Sequence, residues 1–390
     1  MAFIPYGKQS INRQDINAVV EALQSDFLTT GPKVREFEER ISFFTGAKYV
    51  VAVANGTAAL HIASLILLEK GDKVLTTPNS FLATSNAILY AGASPVFVDI
   101  TSDGNIDLDM CESYLKQDPS IKALYAVHFS GNPVNQDKLH YLRKMYGITI
   151  LEDCAHSIGA EYNNIKAGSC TNSDCSILSF HPVKHLTTGE GGAITTNDEK
   201  TYQKLLKLRM HGMEREAVKF INKEMAYDTK GNINPWYYEM DTLGFNYRIT
   251  DFQCALGLSQ FDQLDDFVAR RRELAKQYDK VFNVTSTVKP LYQFTGKSSY
   301  HLYVVLVDFS KLKITKAELF EKTRERGIGL QLHYIPINKQ PYYQSLGYGK
   351  EWTPVMDKYY EECFSLPMYP SLTNEEQEYV INILLEVLNG

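Results

Sequence analysis

The 390-residue chain has few of the features that would place it in a specialised class of protein. Its longest uncharged apolar stretch, at about residues 57–68, contains His61 and is too short to span a bilayer. The first ten residues lack the basic and then apolar pattern of a signal peptide. The six cysteines are widely spread and form no CxxC pair, which argues against a disulfide framework or a cysteine zinc site. We therefore expect a cytoplasmic protein without a membrane segment.

An excess of basic residues is also lacking. Lysine and arginine number 40 against 46 acidic residues, which gives a formal net charge of −6. Non-specific binding to nucleic acid is therefore not expected, and an anionic substrate must be bound by a local cluster of donors. Hydrophobic residues make up 44% of the chain, enough for a large core and a second, smaller one.

Short apolar runs alternate with helical patterns between about residues 47 and 197. Seven of these runs predict buried strands, at residues 49–54, 73–77, 95–99, 123–129, 148–152, 176–180 and 192–196. Between several of them, apolar residues recur with helical spacing, as at 58–68 and 139–146. The alternation predicts an α/β fold with a mostly parallel, seven-stranded sheet. Such sheets bind ligands at the carboxyl ends of their strands.

Further elements are predicted on both sides of this unit. Helices are expected at 16–23, 34–44, 250–282, 316–326 and 375–388, and a strand at 300–307. The helix at 250–282 has the length to connect two domains. We place the domain change near residue 250, which gives a large domain at 1–250 and a smaller C-terminal α+β domain at 251–390. Residues 219–238 predict an excursion with little regular structure.

Two residues that could bind the opposite ends of one ring lie just after predicted strands. Asp153 follows the strand at 148–152, and Lys184 follows the strand at 176–180 and precedes a glycine-rich turn. A lysine amine forms a Schiff base with an aldehyde, and a buried carboxylate keeps a pyridine nitrogen protonated. The pair indicates a site for pyridoxal 5′-phosphate and an enzyme that moves an amino group. Considered alone, Asp153 could instead cap the segment that follows it.

Other possible donors lie near the ends of the same strands. Gly56 and Thr57 open a predicted helix, whose free backbone N–H groups and dipole favour a phosphate, although an ordinary turn gives the same sequence. Ser179 lies five residues before Lys184 and could add a hydroxyl. Arg248 could bind a phosphate or a carboxylate, or lie at the surface without such a role.

His181 and His185 have the spacing of a metal-binding pair on a helix. Pro182 disfavours a regular helix through His181, and no third ligand is evident nearby. We therefore expect no metal site.

Six blocks of residues occur in an order typical of one family. They are LTTGP at 28–32, NGTAAL at 55–60, EDCAH at 152–156, the segment 179–192, GFNYR at 244–248 and SLPMYP at 365–370. The chain thereby resembles the DegT/DnrJ/EryC1/StrS sugar aminotransferases nearly from end to end. The resemblance implies a fold-type I aminotransferase with pyridoxal 5′-phosphate as its cofactor. Some members carry histidine in place of the lysine and dehydrate their substrates; this chain keeps Lys184, which favours transamination.

Four more segments resemble one branch of that family. They are DGNID at 103–107, HPVK at 181–184, WYYEM at 236–240 and QLHYIPI at 331–337. This branch aminates carbon 4 of a nucleotide sugar in pseudaminic acid biosynthesis. The resemblance implies UDP-4-keto-6-deoxy-N-acetyl-β-L-altrosamine as the acceptor and L-glutamate as the amino donor. Spacing and composition do not identify a sugar, so both substrates are implied by resemblance alone.

The resemblance also implies roles for residues at matching positions. Lys184 would form the Schiff base and move the proton, and Asp153 would pair with the ring nitrogen, so both would be catalytic. Cofactor contacts would come from Gly56, Thr57, Phe81, Asp153, His156, Ser179, Lys184 and Asn246, the last from the partner subunit. Substrate contacts would come from Tyr6, Asp26, Phe27, Leu28, Thr29, Gly56, Ser179, Arg248, Gln331, Leu332, His333 and Tyr334. The family builds its active sites across a homodimer interface, so a homodimer is implied.

The leading hypothesis is a UDP-amino-sugar C4 transaminase. One alternative is a sibling aminotransferase that acts on another nucleotide 4-keto or 3-keto sugar. A second is a regulator that binds pyridoxal phosphate without catalysis, but the presence of Lys184 and Asp153 gives no reason for lost activity.

Overall fold

The computed structural model describes residues 3–389. Its α-helices are α1 (Arg13–Leu23), α2 (Pro32–Thr45), α3 (Gly56–Leu67), α4 (Leu82–Tyr90), α5 (Leu108–Gln117), α6 (Gln136–Tyr146), α7 (Glu199–Arg209), α8 (Lys223–Ala226), α9 (Asp251–Phe261), α10 (Leu264–Phe282), α11 (Lys316–Glu325), α12 (Pro341–Ser345), α13 (Pro354–Glu362) and α14 (Asn374–Asn389). Its strands are β1 (Tyr49–Val53), β2 (Lys73–Thr76), β3 (Ser94–Phe97), β4 (Ile121–Val127), β5 (Thr149–Asp153), β6 (Glu161–Tyr162), β7 (Ile165–Lys166), β8 (Cys175–Ser179), β9 (Gly192–Thr196), β10 (Met213–Glu214), β11 (Glu239–Met240), β12 (Lys289–Pro290), β13 (Tyr303–Leu306) and β14 (Cys363–Leu366).

The central sheet confirms the predicted α/β fold. Its strand order is β1-β9-β8-β5-β4-β2-β3, and within it β9 runs antiparallel to its neighbours while the other strands are parallel to one another. Each of the seven predicted strands is present within two or three residues of its expected position. The strands are almost fully buried, because helices cover both faces of the sheet.

The register of the parallel strands brings their carboxyl ends to one edge. Asp153 at the end of β5 pairs with Val127 at the end of β4 on one side and with Ile177 of β8 on the other. Ser179, at the end of β8, pairs with Gly192 at the start of β9. The ligand-binding edge of the sheet therefore contains Asp153 and Ser179.

Local sequence signals set the ends of the helices near this edge. Asn55 caps α3, since its side chain accepts a hydrogen bond from the first turn. Thr250 and Gln253 form a capping box at the start of α9. Gly46 ends α2 with a φ of 83°, a left-handed conformation that glycine adopts at low cost.

The prediction of one uninterrupted helix at 250–282 is wrong. The helix ends at Phe261, and a second one begins at Leu264. At the break, Gln263 accepts a hydrogen bond of 2.8 Å from Asn12, and its own amide donates to Asp15. These tertiary hydrogen bonds stabilise the break between the two helices. Neither a proline nor a glycine indicates it in the sequence.

The C-terminal part of the chain has its own sheet and core. Strands β12, β13 and β14 form an antiparallel sheet, and α10, α11 and α14 contribute apolar residues to the same buried cluster. The strand predicted at 300–307 is shorter, Tyr303–Leu306, because the backbone before it bonds to residues 130 and 131 instead. The domain boundary near residue 250 stays a prediction.

Three further observations concern the excursion, the length of the helices and the cysteines. The excursion at 219–238 has little regular structure apart from the single turn of α8. Within residues 3–389, no helix is both long enough and apolar enough to cross a bilayer. All six cysteines are buried as free thiols.

Candidate active site

A cavity of about 1100 Å³ opens at the carboxyl ends of β4, β5 and β8. Val127, Asp153 and Ile177, which pair with one another in register, all line it. The first residues of α3 line one side, and residues 331–334 of the C-terminal part line another. Its position and size are those of a ligand-binding cleft in a mostly parallel sheet.

Lys184 and Asp153 both line this cavity. Burial lowers the pKa of Lys184 to about 8, while the Asp153 carboxylate opposes this change and the Arg271 guanidinium adds to it. A substantial fraction of the amine is therefore neutral near pH 8. The neutral form is the one that attacks a carbonyl or accepts a proton.

The Asp153 carboxylate is buried and held by hydrogen bonds at both oxygens. Thr84 Oγ1 donates to Oδ2 over 2.6 Å, and the backbone N–H of Ala155 donates to Oδ1 over 3.1 Å. The Ser80 hydroxyl lies 2.9 Å from Thr84 Oγ1. These bonds restrict the carboxylate to one orientation in the wall of the cavity.

A second buried carboxylate, Glu152, fixes the end of β5 from the other face of the sheet. Its Oε2 lies 2.9 Å from His128 Nε2 and accepts from Gln136 over 2.5 Å, while Oε1 accepts from Ser173 over 2.6 Å. Burial alone would raise the pKa of Glu152, but these partners leave it below its ordinary value. The network supports the strand that positions Asp153.

The N-terminus of α3 faces the cavity together with Ser179. Gly56 packs so closely that an added Cβ would lie 3.1 Å from Cβ of Ser179. A Cβ on Gly192 would lie 2.5 Å from the backbone carbon of Asn55, so glycine is required at that point of β9. The close approach brings backbone N–H groups, the Thr57 residue and the Ser179 hydroxyl to one place, an arrangement suited to a phosphate.

An aromatic wall faces this edge from the N- and C-terminal parts of the chain. Tyr334 Oη lies 3.1 Å from His156 Nε2, and the Tyr6 ring packs against His333 with centroids 5.3 Å apart. The Phe81 ring remains more than half exposed beside Tyr334. It is available to pack against a planar ligand.

The structure brings most of the predicted site residues together. Those that line the cavity are Tyr6, Gly56, Thr57, Phe81, Asp153, His156, Ser179, Lys184, Gln331, Leu332, His333 and Tyr334. Those that do not line it within one chain are Asp26, Phe27, Leu28, Thr29, Asn246 and Arg248. Asn246 is exposed and Arg248 is half-buried.

Thr84 and His301 line the cavity but are not predicted from the sequence. Thr84 lies three residues after Phe81 at the start of α4, and this helical spacing is a signal that could have identified it. His301 comes from the C-terminal part and packs 4.3 Å from the His156 ring. No sequence pattern connects residues so far apart.

The two histidines considered for a metal have different surroundings. His181 is exposed and lines the cavity, whereas His185 is buried with its Nε2 3.0 Å from the Ser299 carbonyl oxygen. Among residues 3–389, no three metal-binding side chains come close enough to hold an ion.

The residues of the cavity fit pyridoxal 5′-phosphate. Lys184 offers an amine for the aldehyde and Asp153 a carboxylate for the ring nitrogen. The N-terminus of α3 and Ser179 offer the donors that a phosphate needs, and Phe81 offers a ring face.

Comparison with known proteins identifies the family. The sequence matches the model of the DegT/DnrJ/EryC1/StrS aminotransferase family over residues 9–385. The chain belongs to this family. It is 38% identical to the UDP-4-amino-4,6-dideoxy-N-acetyl-β-L-altrosamine transaminase of Campylobacter jejuni, with 99% of this chain and 97% of that protein covered. It is 36% identical to the spore coat polysaccharide biosynthesis protein SpsC of Bacillus subtilis, with 100% and 98% covered.

A solved structure in the DegT/DnrJ/EryC1/StrS family shares the fold closely. Helicobacter pylori PseC, an aminotransferase involved in the biosynthesis of pseudoaminic acid, superimposes with a TM-score of 0.90 at 31% identity and covers 99% of both chains. The protein is therefore a sugar aminotransferase with the fold-type I architecture. Aminotransferases of this family depend on pyridoxal phosphate, and solved relatives include pyridoxal-phosphate and pyridoxamine-phosphate forms.

Proposed function

We propose that the protein transfers the amino group of L-glutamate to carbon 4 of a UDP-4-keto-6-deoxy-N-acetylhexosamine, with pyridoxal 5′-phosphate as its cofactor. The acceptor is UDP-4-keto-6-deoxy-N-acetyl-β-L-altrosamine, which places the reaction in pseudaminic acid biosynthesis. The observation that carries this proposal is the 38% identity to the Campylobacter transaminase along 99% of the chain. The cavity that contains Lys184 and Asp153 supports it.

The side chains of the cavity divide the work among them. When bound, the cofactor supplies an aldehyde and a ring that accepts the charge left after an amino acid loses its α-proton. Lys184 would hold the aldehyde and, once free, would act as the base that carries the proton between the substrate carbon and the cofactor. Burial lowers the pKa of its amine to about 8 in the cofactor-free chain. Asp153, fixed by Thr84, would keep the ring nitrogen protonated. Phe81 would pack against the ring face.

The cavity of one chain has little positive charge for a nucleotide diphosphate. Among the described residues that line it, Lys184 is the one lysine, and arginine does not occur. Asn246 and Arg248 are suited to bind phosphates but lie outside this cavity. We therefore propose a homodimer in which the partner subunit supplies both residues and each cavity is completed across the interface.

Exposed apolar side chains near the N-terminus support the proposed dimer, because a second chain would cover them. Ile16, Val20 and Leu23 share one face of α1 and are 46%, 44% and 53% exposed. Phe27 and Leu28, in the loop that follows, are about as exposed, at 52% and 48%. A contiguous apolar face of this kind is typical of a protein interface. A second copy of the chain on this face would bring residues 26–29 into the interface.

Two measurements on the purified full-length protein test the activity. Excess L-glutamate should convert the violet-absorbing cofactor to its pyridoxamine form, and an unchanged spectrum would contradict transamination. A panel of UDP- and dTDP-linked keto-sugars should then show turnover with the UDP-4-keto-6-deoxy-N-acetyl sugar. NMR of the product identifies the aminated carbon and its stereochemistry. Faster turnover of another nucleotide sugar would overturn the proposed acceptor.

The shared active site has its own test. The molar mass from size-exclusion chromatography with light scattering should be that of two chains. Inactive Lys184→Ala and Arg248→Ala variants, mixed and allowed to exchange subunits, should recover up to about a quarter of the wild-type rate, because half of the dimers are mixed and each has one intact site. A dimer that recovers no activity on mixing would exclude Arg248 of the partner subunit from the site.

A sibling activity on another nucleotide keto-sugar is the second candidate. The 36% identity to SpsC, a spore coat polysaccharide biosynthesis protein, is close to the 38% found for the Campylobacter transaminase. The same substrate panel separates the two.

We further propose a cytoplasmic location, which the six buried free thiols support because such thiols persist in a reducing compartment.

A further inference from the structure

Arg271, on α10, is a completely buried cation. Within residues 3–389, no carboxylate lies within ion-pair distance of its guanidinium, and burial lowers the pKa of Arg271 to about 9. A buried charge without a counterion is strongly unfavourable. An apolar residue at this position would avoid that cost, so we expect the arginine to have a specific function.

The guanidinium holds a strained turn in place. Its Nη1 donates to the carbonyl oxygens of Tyr300, His301 and Met368 over 3.2, 3.1 and 2.8 Å. Tyr300 has a φ of 50°, in the left-handed region that a bulky residue rarely adopts. Strain of this kind persists where surrounding bonds fix the conformation, and it often occurs at functional sites.

The turn carries a histidine into the wall behind Lys184. The His301 ring lies 4.3 Å from the His156 ring and 5.6 Å from the His185 ring. His185 is tied to the same turn, since its Nε2 lies 3.0 Å from the Ser299 carbonyl oxygen. Because His156 and His301 line the cavity with Lys184, Arg271 organises the wall that faces the amine.

Few of the groups around Lys184 carry charge near neutral pH. The titratable groups that act on it or face it are Asp153, His156, His181, His185, His301, His333 and Arg271. Burial lowers the pKa of all five histidines, so they are neutral near pH 7. The charges that remain are the Asp153 carboxylate, which favours a proton on the lysine, and the Arg271 guanidinium, which opposes it.

We propose that Arg271 is a positioning residue that holds His301 behind Lys184 and adds a buried positive charge that opposes protonation of the lysine amine. This charge adds to burial, the larger cause of the lowered pKa of Lys184, in opposing the Asp153 carboxylate, which favours the protonated amine. This inference rests on the proposed role of Lys184. Its test does not depend on that role, because it measures the amine in the absence of cofactor and substrate.

The test is the pH dependence of Lys184 carbamylation in the full-length, cofactor-free chain. Isocyanic acid, the reactive form of cyanate, is small and is attacked only by the neutral amine. Peptide mass spectrometry reports the rate at Lys184 alone, and this rate is corrected for the fraction of isocyanic acid at each pH. The wild-type midpoint should lie near pH 8. In Arg271→Gln it should rise by about one pH unit, which makes labelling below the midpoint about tenfold slower.

Arg272→Gln is the matched control. Arg272 is the next residue on α10 and donates to the Ser298 and Gly159 carbonyl oxygens, so it also ties the same turn. Its loss should leave the Lys184 midpoint within about 0.3 pH units of the wild type, because Arg271 is the arginine whose charge acts on the lysine. Circular dichroism and urea unfolding establish that each variant is folded.

Each outcome decides the proposal. A raised midpoint in folded Arg271→Gln but not in Arg272→Gln supports it. An unmoved midpoint in Arg271→Gln, or an equal rise in both variants, overturns it, since a purely structural role would loosen the turn without a charge effect. If Arg271→Gln does not fold, Arg271→Met takes its place, because it also removes the charge and keeps an unbranched side chain. A raised midpoint in folded Arg271→Met supports the proposal, and an unmoved midpoint overturns it.

Discussion

Thr84 Oγ1 and Asp153 Oδ2 lie 2.6 Å apart, the shortest link between helix α4 and the carboxylate at the end of β5. The threonine is itself in contact with the Ser80 hydroxyl, 2.9 Å away. The orientation of Asp153 thus depends on helix α4, which begins directly after Phe81, another residue that lines the cavity. Cofactor packing and carboxylate placement are set by the same short segment.

Thr84→Val should weaken cofactor binding about tenfold, because a hydrogen bond to a charged group contributes about 1.5–3 kcal/mol. The side-chain volume is nearly unchanged, so the fold should be retained. Absorbance titration with pyridoxal 5′-phosphate measures the affinity, and Thr84→Ser, which keeps the hydroxyl, should stay within about threefold of the wild type. Equal cofactor affinities of the valine variant and the wild type would show that the Thr84 hydroxyl does not contribute to cofactor binding.

Asp153→Asn should lower the transamination rate about 100-fold or more, because a neutral amide does not stabilise a protonated ring nitrogen. The amide is isosteric, and its oxygen can still accept from Thr84 Oγ1. The variant should therefore remain folded and retain cofactor, as judged from its absorbance spectrum. Single-turnover measurement with L-glutamate tests the chemistry directly. A rate within about threefold of the wild type would show that the carboxylate charge is not used.

Gly192→Ala should destabilise the chain by about 2–3 kcal/mol and weaken phosphate binding. The new methyl group would lie 2.5 Å from the Asn55 backbone carbon and 2.7 Å from the Gly56 nitrogen, which are rigid neighbours. Urea unfolding measures the first effect and cofactor titration the second. Gly296→Ala is the matched control, because nothing lies within 4 Å of a Cβ there. Equal stability of the two variants would show that β9 can move away from α3.

Lys184→Met should stabilise the cofactor-free chain by about 3 kcal/mol at pH 7. Burial lowers the pKa of Lys184 to about 8, so between that value and 10.5 the unfolded chain binds more protons than the folded chain. Folding of the wild type therefore improves as the pH rises through this window. The advantage of the methionine variant should fall by about half at pH 9.5.

Urea unfolding of the two chains at pH 7 and pH 9.5 provides this comparison. Lys48→Met, which removes an exposed lysine, serves as the control and should change the stability little at either pH. A methionine variant no more stable than the wild type at pH 7, or an advantage that does not change with pH, would mean that burial does not lower the pKa of Lys184.

Much of the fold could be predicted from the sequence because the sheet is buried on both faces. Several of its strands contain continuous apolar runs, as at Tyr49–Val53 and at residues 123–127 of β4, and such runs are easily separated from the amphipathic helices between them. Lys184 and Asp153 could be found for a related reason: each follows a buried strand, and the carboxyl ends of parallel strands meet at one edge.

Other features could not be predicted because they depend on contacts between distant parts of the chain. The break between Phe261 and Leu264 is held by Asn12 and Asp15, which lie about 250 residues away. The turn at Tyr300 places His301 in the site, and Arg271 bonds to this turn. The backbone of Tyr300 is left-handed, and because the residue is not a glycine the sequence does not indicate this conformation. Residues such as Arg248 lie outside the cavity of one chain, so their role depends on a second copy.

The single antiparallel strand of the central sheet has a consequence for synthesis on the ribosome. β1 joins the sheet through β9, so the first strand to emerge has no sheet partner until residues 192–196 have also emerged. During this interval its apolar residues are exposed to chaperones and to other nascent chains. Translation pauses that occur before residues 192–196 have left the ribosome should therefore increase aggregation of the nascent chain, whereas later pauses should not.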